Sequence, residues 1–307
     1  MPARVLSAPF GPRHSGDVRS QVGVDWTFAL IAVSVVWIGV ALLPPWMAMW
    51  LTAIATFGTL KVLTWRRCLN RSAPATSRDF IDYVTLWPGM DPNEFLRRTS
   101  ATDVSRRDWF LAVTKTWLGI AIVIGAAAPA IREHATAAAF AAATGLVLSL
   151  HCGAFHLLAN FWRRKGRDVR PIMYRPLAAR KLSEFWGRRW NRAFPQIAVP
   201  LVFRPVARRY GTRVAGWSVF LFSGVVHDVV MSVPAGGGYG RPTLYFLIQA
   251  VVADLLRRLD DRESPWLNSA VQRTIAATAV LLPLPLLCHA AFRNSCLLPM
   301  LDFVAGR

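Results

Sequence analysis

Residues 213–233 read RVAGWSVFLFSGVVHDVVMSV, and this stretch decides the fold. Beyond Arg213 it is apolar for long enough to cross about 30 Å of hydrocarbon as a helix. Its ionisable exceptions are His227 and Asp228, set among Val, Phe, Leu and Met. Working outward, comparable apolar runs occupy 24–43, 46–65, 108–131, 135–159, 242–258 and 269–292, the run at 242–258 being the shortest. Arginine-rich stretches separate them, and that alternation is the pattern of a multi-spanning membrane protein. Pro44-Pro45 marks a tight turn between the first two runs, predicting a helical hairpin. Phe194–Val206 is apolar but short, and it holds Pro195, Pro200 and Pro205, so it reads as a re-entrant or interfacial segment. The expected fold is an all-α polytopic bundle of about seven or eight spanning helices. Residues 1–23 form a loose tail, 24–292 a single multi-span unit with a basic loop at 160–212, and 293–307 a short C-terminal tail.

Composition agrees. The chain has 307 residues, of which 54% are hydrophobic, and 13 Trp. Its mean hydropathy is +0.34. Trp collects at membrane interfaces. The net charge is +19, from 36 basic and 17 acidic residues. In a soluble protein that excess would suggest nucleic acid. Here the basic residues sit between apolar spans, so membrane topology accounts for them and no nucleic-acid partner is expected. With the N-terminus in the cytoplasm, the tail, the loops 66–107, 160–212 and 259–268, and the helix-end Arg213, Arg257 and Arg258 carry 29 of the 36 basic residues. The outer segments carry Arg132, Arg241, Arg293 and Arg307. Lys61, Lys115 and Arg273 fall near the inner ends of spans, where they are expected to snorkel. The positive-inside rule therefore puts the N-terminus inside. A bacterial inner membrane suits this short, arginine-rich chain. Cys68, Cys152, Cys288 and Cys296 form no CxxC pair, so neither a zinc ribbon nor a redox pair is expected.

Polar residues inside a membrane are expensive, and each calls for a reason. His227 is the foremost. A buried imidazole tends to stay neutral, and a neutral imidazole accepts a proton as a general base must. Gly224, three residues earlier on nearly the same helical face, could leave room for a substrate. The alternative is a His hydrogen-bonded between helices. His151 and His156 are about 140° apart around one helix and so do not face a common metal.

The second feature is the loop Phe185-Trp186-Gly187-Arg188-Arg189-Trp190-Asn191. It lies in a region, 161–213, with 15 basic residues against two acidic ones, Asp168 and Glu184. If helical, Trp186 and Trp190 would stack on one side, with Arg188, Arg189 and Arg192 on another arc. Such a helix could rest on anionic lipid, or its arginine forks could receive the phosphates of coenzyme A.

The pair F-W-G-R-R-W-N at Phe185–Asn191 and S-G-x-x-H at Ser223–His227 resembles the membrane-bound O-acyltransferase superfamily, in its wax synthase-like branch. Leu86-Trp87-Pro88-Gly89-Met90-Asp91-Pro92 is similar to an N-terminal element of the same branch. The resemblance runs from about residue 79 to 233. It implies a helical bundle with a central tunnel and transfer of an acyl group from a thioester to a hydroxyl. The family's histidine falls on His227 and its loop asparagine on Asn191. The substrates implied are acyl-CoA, entering from the cytoplasm, and a lipophilic alcohol from the bilayer, with no metal or other cofactor. Arg188 and Arg189 would attract the CoA phosphates, Phe185, Trp186 and Trp190 would brace the loop or line the tunnel, and Ser223 and Gly224 would border the substrate. Two other readings are a sterol, glycan or secondary-metabolite hydroxyl as acceptor, and a non-enzymatic transporter or lipid-binding protein. HHxxxDG, GxSxG and HExxH do not occur, which excludes the chemistries those motifs carry.

Overall fold

A computed structural model describes residues 31, 33–69, 75–100, 103–260 and 269–307. The elements are α1 (Val33–Leu42), α2 (Pro45–Leu69), α3 (Ser77–Leu86), α4 (Pro92–Leu96) and α5 (Arg106–Ala127). There follow α6 (Ala135–Arg164) and α7 (Ala193–Ala235), α8 (Arg241–Asp260), α9 (Ser269–Leu281) and α10 (Leu298–Val304). Among the described residues the only β pairing is an isolated bridge between Arg98 and Arg167. The protein is all-α and integral to the membrane.

Five of these helical runs are long and apolar enough to cross a bilayer: Pro45–Cys68, Arg106–Ala127, Ala135–Arg164, Ala193–Ala235 and Ala270–Leu287. The first expected span, 24–43, lies outside the described residues at 24–30 and 32, and its described part holds α1. The expected span 242–258 forms α8, a continuous helix made less apolar by Gln249, Asp254, Arg257 and Arg258. Along α5, Phe110, Trp117 and Ile124 recur every seven residues and are 68%, 66% and 58% exposed, a stripe suited to lipid.

Small residues set the spacing of the helices. The break at Pro44-Pro45 separates α1 from α2, and Gly39 faces Leu51 across it. A Cβ on Gly119 would meet Ser149 N at 2.3 Å, and one on Gly153 would meet Thr116 Cα at 2.7 Å, so α5 and α6 touch backbone to backbone. An alanine-rich core joins α5 and α6 to the C-terminal residues Phe292, Cys296 and Leu301.

A second core lies beside the spans, where Trp65, Tyr83, Trp87, Phe95 and Trp162 pack together. The Leu86–Pro92 element runs through it. Lys61 does not snorkel as expected. It is fully buried, its Nζ donates to Tyr83 O at 3.0 Å and to Gly89 O, and it sits 3.7 Å from the Tyr83 ring centre. The carbonyls and the aromatic face solvate the ammonium, so it has no need to reach water. Gln196, near the start of α7, accepts from Met90 N at 2.7 Å and donates to Glu94 at 2.6 Å. The Leu86–Pro92 element thereby holds the base of α7.

Candidate active site

The site is built on a bend in α7. Gly211 has φ 83° and ψ 165°, which breaks the helix and leaves an open flank where any Cβ would sit. The two arms fold back on each other: Phe194 stacks on Phe222 with centroids 5.7 Å apart, and Phe203 shares a cavity wall with Trp217 and Phe220. The segment read as re-entrant is thus the first arm of a hairpin. At about 1.5 Å per residue, His227 lies ~7.5 Å beyond Phe222 on the side away from the bend. Asn191 precedes the first helical residue of the other arm, Ala193. The hairpin therefore brings two residues far apart in sequence to the same end, away from the bend.

His227 is half-buried. Its Nδ1 lies 2.7 Å from Ser223 O. A carbonyl only accepts, so Nδ1 carries the proton and Nε2 presents its lone pair. The Phe246 ring braces the imidazole, centroid to centroid 4.6 Å. Phe246 belongs to α8, and α8 is set in place by Asp228. Asp228 Oδ1 accepts from Gly240 N at 2.8 Å; Oδ2 accepts from Thr243 N at 3.0 Å and from the Thr243 hydroxyl. It caps the first turn of α8 from the neighbouring helix. After His227, α7 loosens into π-helical turns over Asp228–Ser232, a geometry frequent at functional sites.

Asp228 is held in turn. Ser232 Oγ donates to Asp228 Oδ1 at 2.9 Å and lies 3.2 Å from His289 Nε2. Phe292 N donates to His289 Nδ1 at 3.1 Å, so that nitrogen is the acceptor and Nε2 carries the hydrogen. The direction of the chain follows: His289 to Ser232 to Asp228. Gly238, at φ 78°, presses against the His289 ring, where a Cβ would come within 2.2 Å of Nδ1. His289 carried no expectation from sequence, because its partner lies 57 residues away. The missing side chain of Gly224 makes room for α8, since a Cβ would meet Thr243 Cα at 2.6 Å. Ser223 is buried and contributes its carbonyl to His227.

The loop 181–191 descends beside the second arm and does not form the expected continuous helix. Leu182–Glu184 is helical, Phe185–Arg189 is π-helical, and Trp190 is extended. Asn191 has φ 40°, a left-handed backbone that Asn tolerates better than most residues. The two tryptophans consequently part. Trp190 stacks on Phe185 at 5.3 Å. Trp186 faces Phe220 at 6.3 Å and Phe246 at 5.6 Å, and its Nε1 donates to Gln249 Oε1 at 3.2 Å. Gln249 is fully buried and donates onward to Ala279 O at 2.6 Å. Asn191 N donates to Met173 Sδ at 3.2 Å. Arg189 pairs with Glu184, its Nη2 2.6 Å from Oε1, while Arg188 is exposed. The backbone hydrogen bond from Arg180, followed by that from the Arg189 guanidinium, holds the Glu184 carboxyl below its usual range.

A cavity of about 390 Å³ opens at the bend end of α7, between both arms, α8 and Leu182. Lys181, Arg213 and Arg257 stand at it, with Asp254 bridging Arg213 at 3.0 Å and Arg257 at 3.2 Å. Sequence reasoning assigned these charges to topology alone. Phe220 and Ala250 are among its walls, and Trp186 stands between Phe220 and the Phe246 ring that braces His227.

Residues 169–249 match the membrane bound O-acyl transferase family. That range holds the 185–191 loop, the α7 hairpin, His227 and Phe246. Among curated proteins the chain is similar to probable long-chain-alcohol O-fatty-acyltransferase 3 of Arabidopsis thaliana, 35% identical over 28% of this chain and 28% of the relative. It is similar to probable long-chain-alcohol O-fatty-acyltransferase 8 of the same plant, 37% identical over 33% and 32%. It is also similar to the plant's acyl-CoA–sterol O-acyltransferase 1, 30% identical over 20% of each. The chain spans under a third of the first of these relatives.

Proposed function

We infer that this chain, which belongs to the membrane bound O-acyl transferase family in its wax synthase-like branch, moves a fatty acyl group from acyl-CoA to the hydroxyl of a lipophilic alcohol. The observation that carries this reading is the His227 tautomer. With Nδ1–H spent on Ser223 O, Nε2 is free to act as a base in the interior of the bundle. Nε2 takes the hydroxyl proton while the alcohol oxygen attacks the acyl carbon. The C–S bond then breaks, and the imidazolium returns the proton to the departing thiolate, releasing free CoA and the ester. No acyl-enzyme forms. Asn191, at the same end of the hairpin, orients the reactants or receives the developing oxyanion. The protein's larger contribution is to bring a water-soluble thioester and a membrane-soluble alcohol together in a dry site.

The basic cavity at the bend end suits entry of the thioester from the cytoplasm, with Arg188 and Arg189 drawing the CoA phosphates to that face. This reading has the N-terminus in the cytoplasm, which the charge asymmetry along the chain supports, and a bacterial inner membrane as its place. A sterol as acceptor is the second reading, favoured by the likeness to the plant sterol acyltransferase.

His227→Ala protein, checked for folding in detergent, should release CoA from acyl-CoA at least about 100-fold more slowly with either a long-chain alcohol or a sterol as acceptor. Turnover close to wild type would sink the base assignment. Asn191→Ala should lower turnover with protein yield unchanged; a collapse of yield would make that asparagine structural.

A further inference from the structure

Buried polar atoms without partners are rare, and each asks for a reason. Among the described residues they occur on Trp87, His151, His156, Asn160 and Arg167. His151 stands apart by position. It lies mid-way along α6, inside π-helical turns that run over Val147–Ala154. Its neighbours two residues away on either side, Ser149 and Gly153, are the contacts with α5. A step of two residues turns roughly half-way around a helix, so His151 faces away from α5 and into the bundle. Its ring meets Phe155 edge-on at 5.3 Å. Phe155 packs on the cluster that contains Met173, Trp190 and Ala193. Those residues flank Asn191, and the Met173 sulfur accepts its amide. His151 also lies within electrostatic range of His227. His151, on α6, thus shares the interior with His227, on α7, and reaches the packing around the 185–191 loop through Phe155.

We propose that His151 is a second catalytic residue of this site, donating a hydrogen bond to the carbonyl oxygen of the acyl donor as that oxygen becomes an oxyanion. The proposal rests on the acyl-transfer reading above. A neutral imidazole has one N–H to give, and the buried Nδ1 of His151 has no hydrogen-bond partner among the described residues. The division of labour follows. His227 presents a lone pair and removes the hydroxyl proton. The alcohol oxygen bonds to the acyl carbon, and the carbonyl π pair moves onto oxygen, where the His151 N–H meets it. When the C=O bond re-forms, C–S breaks and the thiolate takes its proton from His227. His151 ends the step with the hydrogen it began with. Such a donor in a dry site is worth about 100- to 1,000-fold in turnover.

The test uses full-length protein in detergent, with CoA release from long-chain acyl-CoA read in the presence of a long-chain alcohol, for His151→Leu, His151→Gln and His227→Ala. His151→Leu should lower kcat by about 100- to 1,000-fold while KM for acyl-CoA stays within about threefold. Its thermal midpoint should equal or exceed that of wild type, because Leu leaves no buried polar atom unpaired. His151→Gln, which keeps an N–H donor, should recover at least about tenfold of the loss. Turnover of His151→Leu within about twofold of wild type overturns the proposal, as do equal losses in the Leu and Gln variants. Absence of alcohol-dependent CoA release by the wild type overturns the transfer reading itself, and full activity in His227→Ala overturns the base assignment on which the division of labour rests. An inactive His227→Ala beside an active His151→Leu removes His151 alone.

Discussion

Asp228 accepts hydrogen bonds from both the backbone amide and the hydroxyl of Thr243, across the contact between α7 and α8. Phe246, one turn further along α8, is the ring that braces His227. The carboxylate beside His227 therefore acts on it through another helix. Asp228→Ala should lower the thermal midpoint by the equivalent of about 1–2 kcal/mol, as loss of a helix cap does. It should lower turnover more than that stability loss explains, because Phe246 loses its register. Asp228→Asn, which keeps one accepting oxygen, should fall between. Thermal unfolding and kcat measured on the same preparations check this; an unchanged kcat in Asp228→Ala would contradict the bracing role.

Gly224 lets the same two helices touch. Gly224→Ala places a methyl 2.6 Å from Thr243 Cα, and backbone has to move. Destabilisation of about 1–3 kcal/mol, the usual cost of overpacking, should appear together with lost activity. Gly58, in α2, has nothing within 4 Å of its Cβ position. Gly58→Ala should be neutral or stabilising by about 0.5–1 kcal/mol. Thermal midpoints of the two variants side by side decide the matter.

Arg188 and Arg189 should separate cleanly. Arg188 is exposed, so Arg188→Ala should leave stability within about 0.5 kcal/mol of wild type. It should raise KM for acyl-CoA several-fold at low salt, an effect that fades as salt screens the charge. Arg189→Ala removes the partner of Glu184 and should disturb the loop as well, lowering kcat. Steady-state kinetics at two ionic strengths distinguish them.

Asp79 makes a pH prediction. Partial burial pushes its carboxyl up, but hydrogen bonds from the Thr76 backbone, from Arg167 and from the Thr76 hydroxyl outweigh that and bring it down to about 2. Its folded pKa lies below the unfolded value of about 3.9. Its contribution is therefore complete above about pH 5 and is lost as pH falls toward about 2. Asp79→Asn should be less stable than wild type at neutral pH, and the gap should close on acidification. Intrinsic tryptophan fluorescence followed through thermal melts at stepped pH reads this; a gap independent of pH would contradict it.

The spans were legible because hydrocarbon imposes a length on every apolar helix, and His227 because a polar side chain there is costly. What escaped was set by backbone geometry and by distant pairs. A glycine inside a helical run reads the same whether it bends the chain, as Gly211 does, or admits a neighbour, as Gly224 does. The expected helix over the loop fails at Trp190 and Asn191, where the backbone turns extended and then left-handed. Lys61 finds two carbonyls and a ring that no local pattern announces. The proton order from His289 through Ser232 to Asp228 needs coordinates, because a tautomer is chosen by its partners.

The bend at Gly211 turns chain length into a rule of register. One residue inserted within either arm would swing everything beyond it by about 100° and displace it by about 1.5 Å. Phe194 and Phe222 would then no longer stack across the hairpin. Residues added at the bend itself leave both arms as they are. The interval between the loop and the histidine is thus a matched pair of rulers, tolerant of insertion at its midpoint and intolerant of it along either limb.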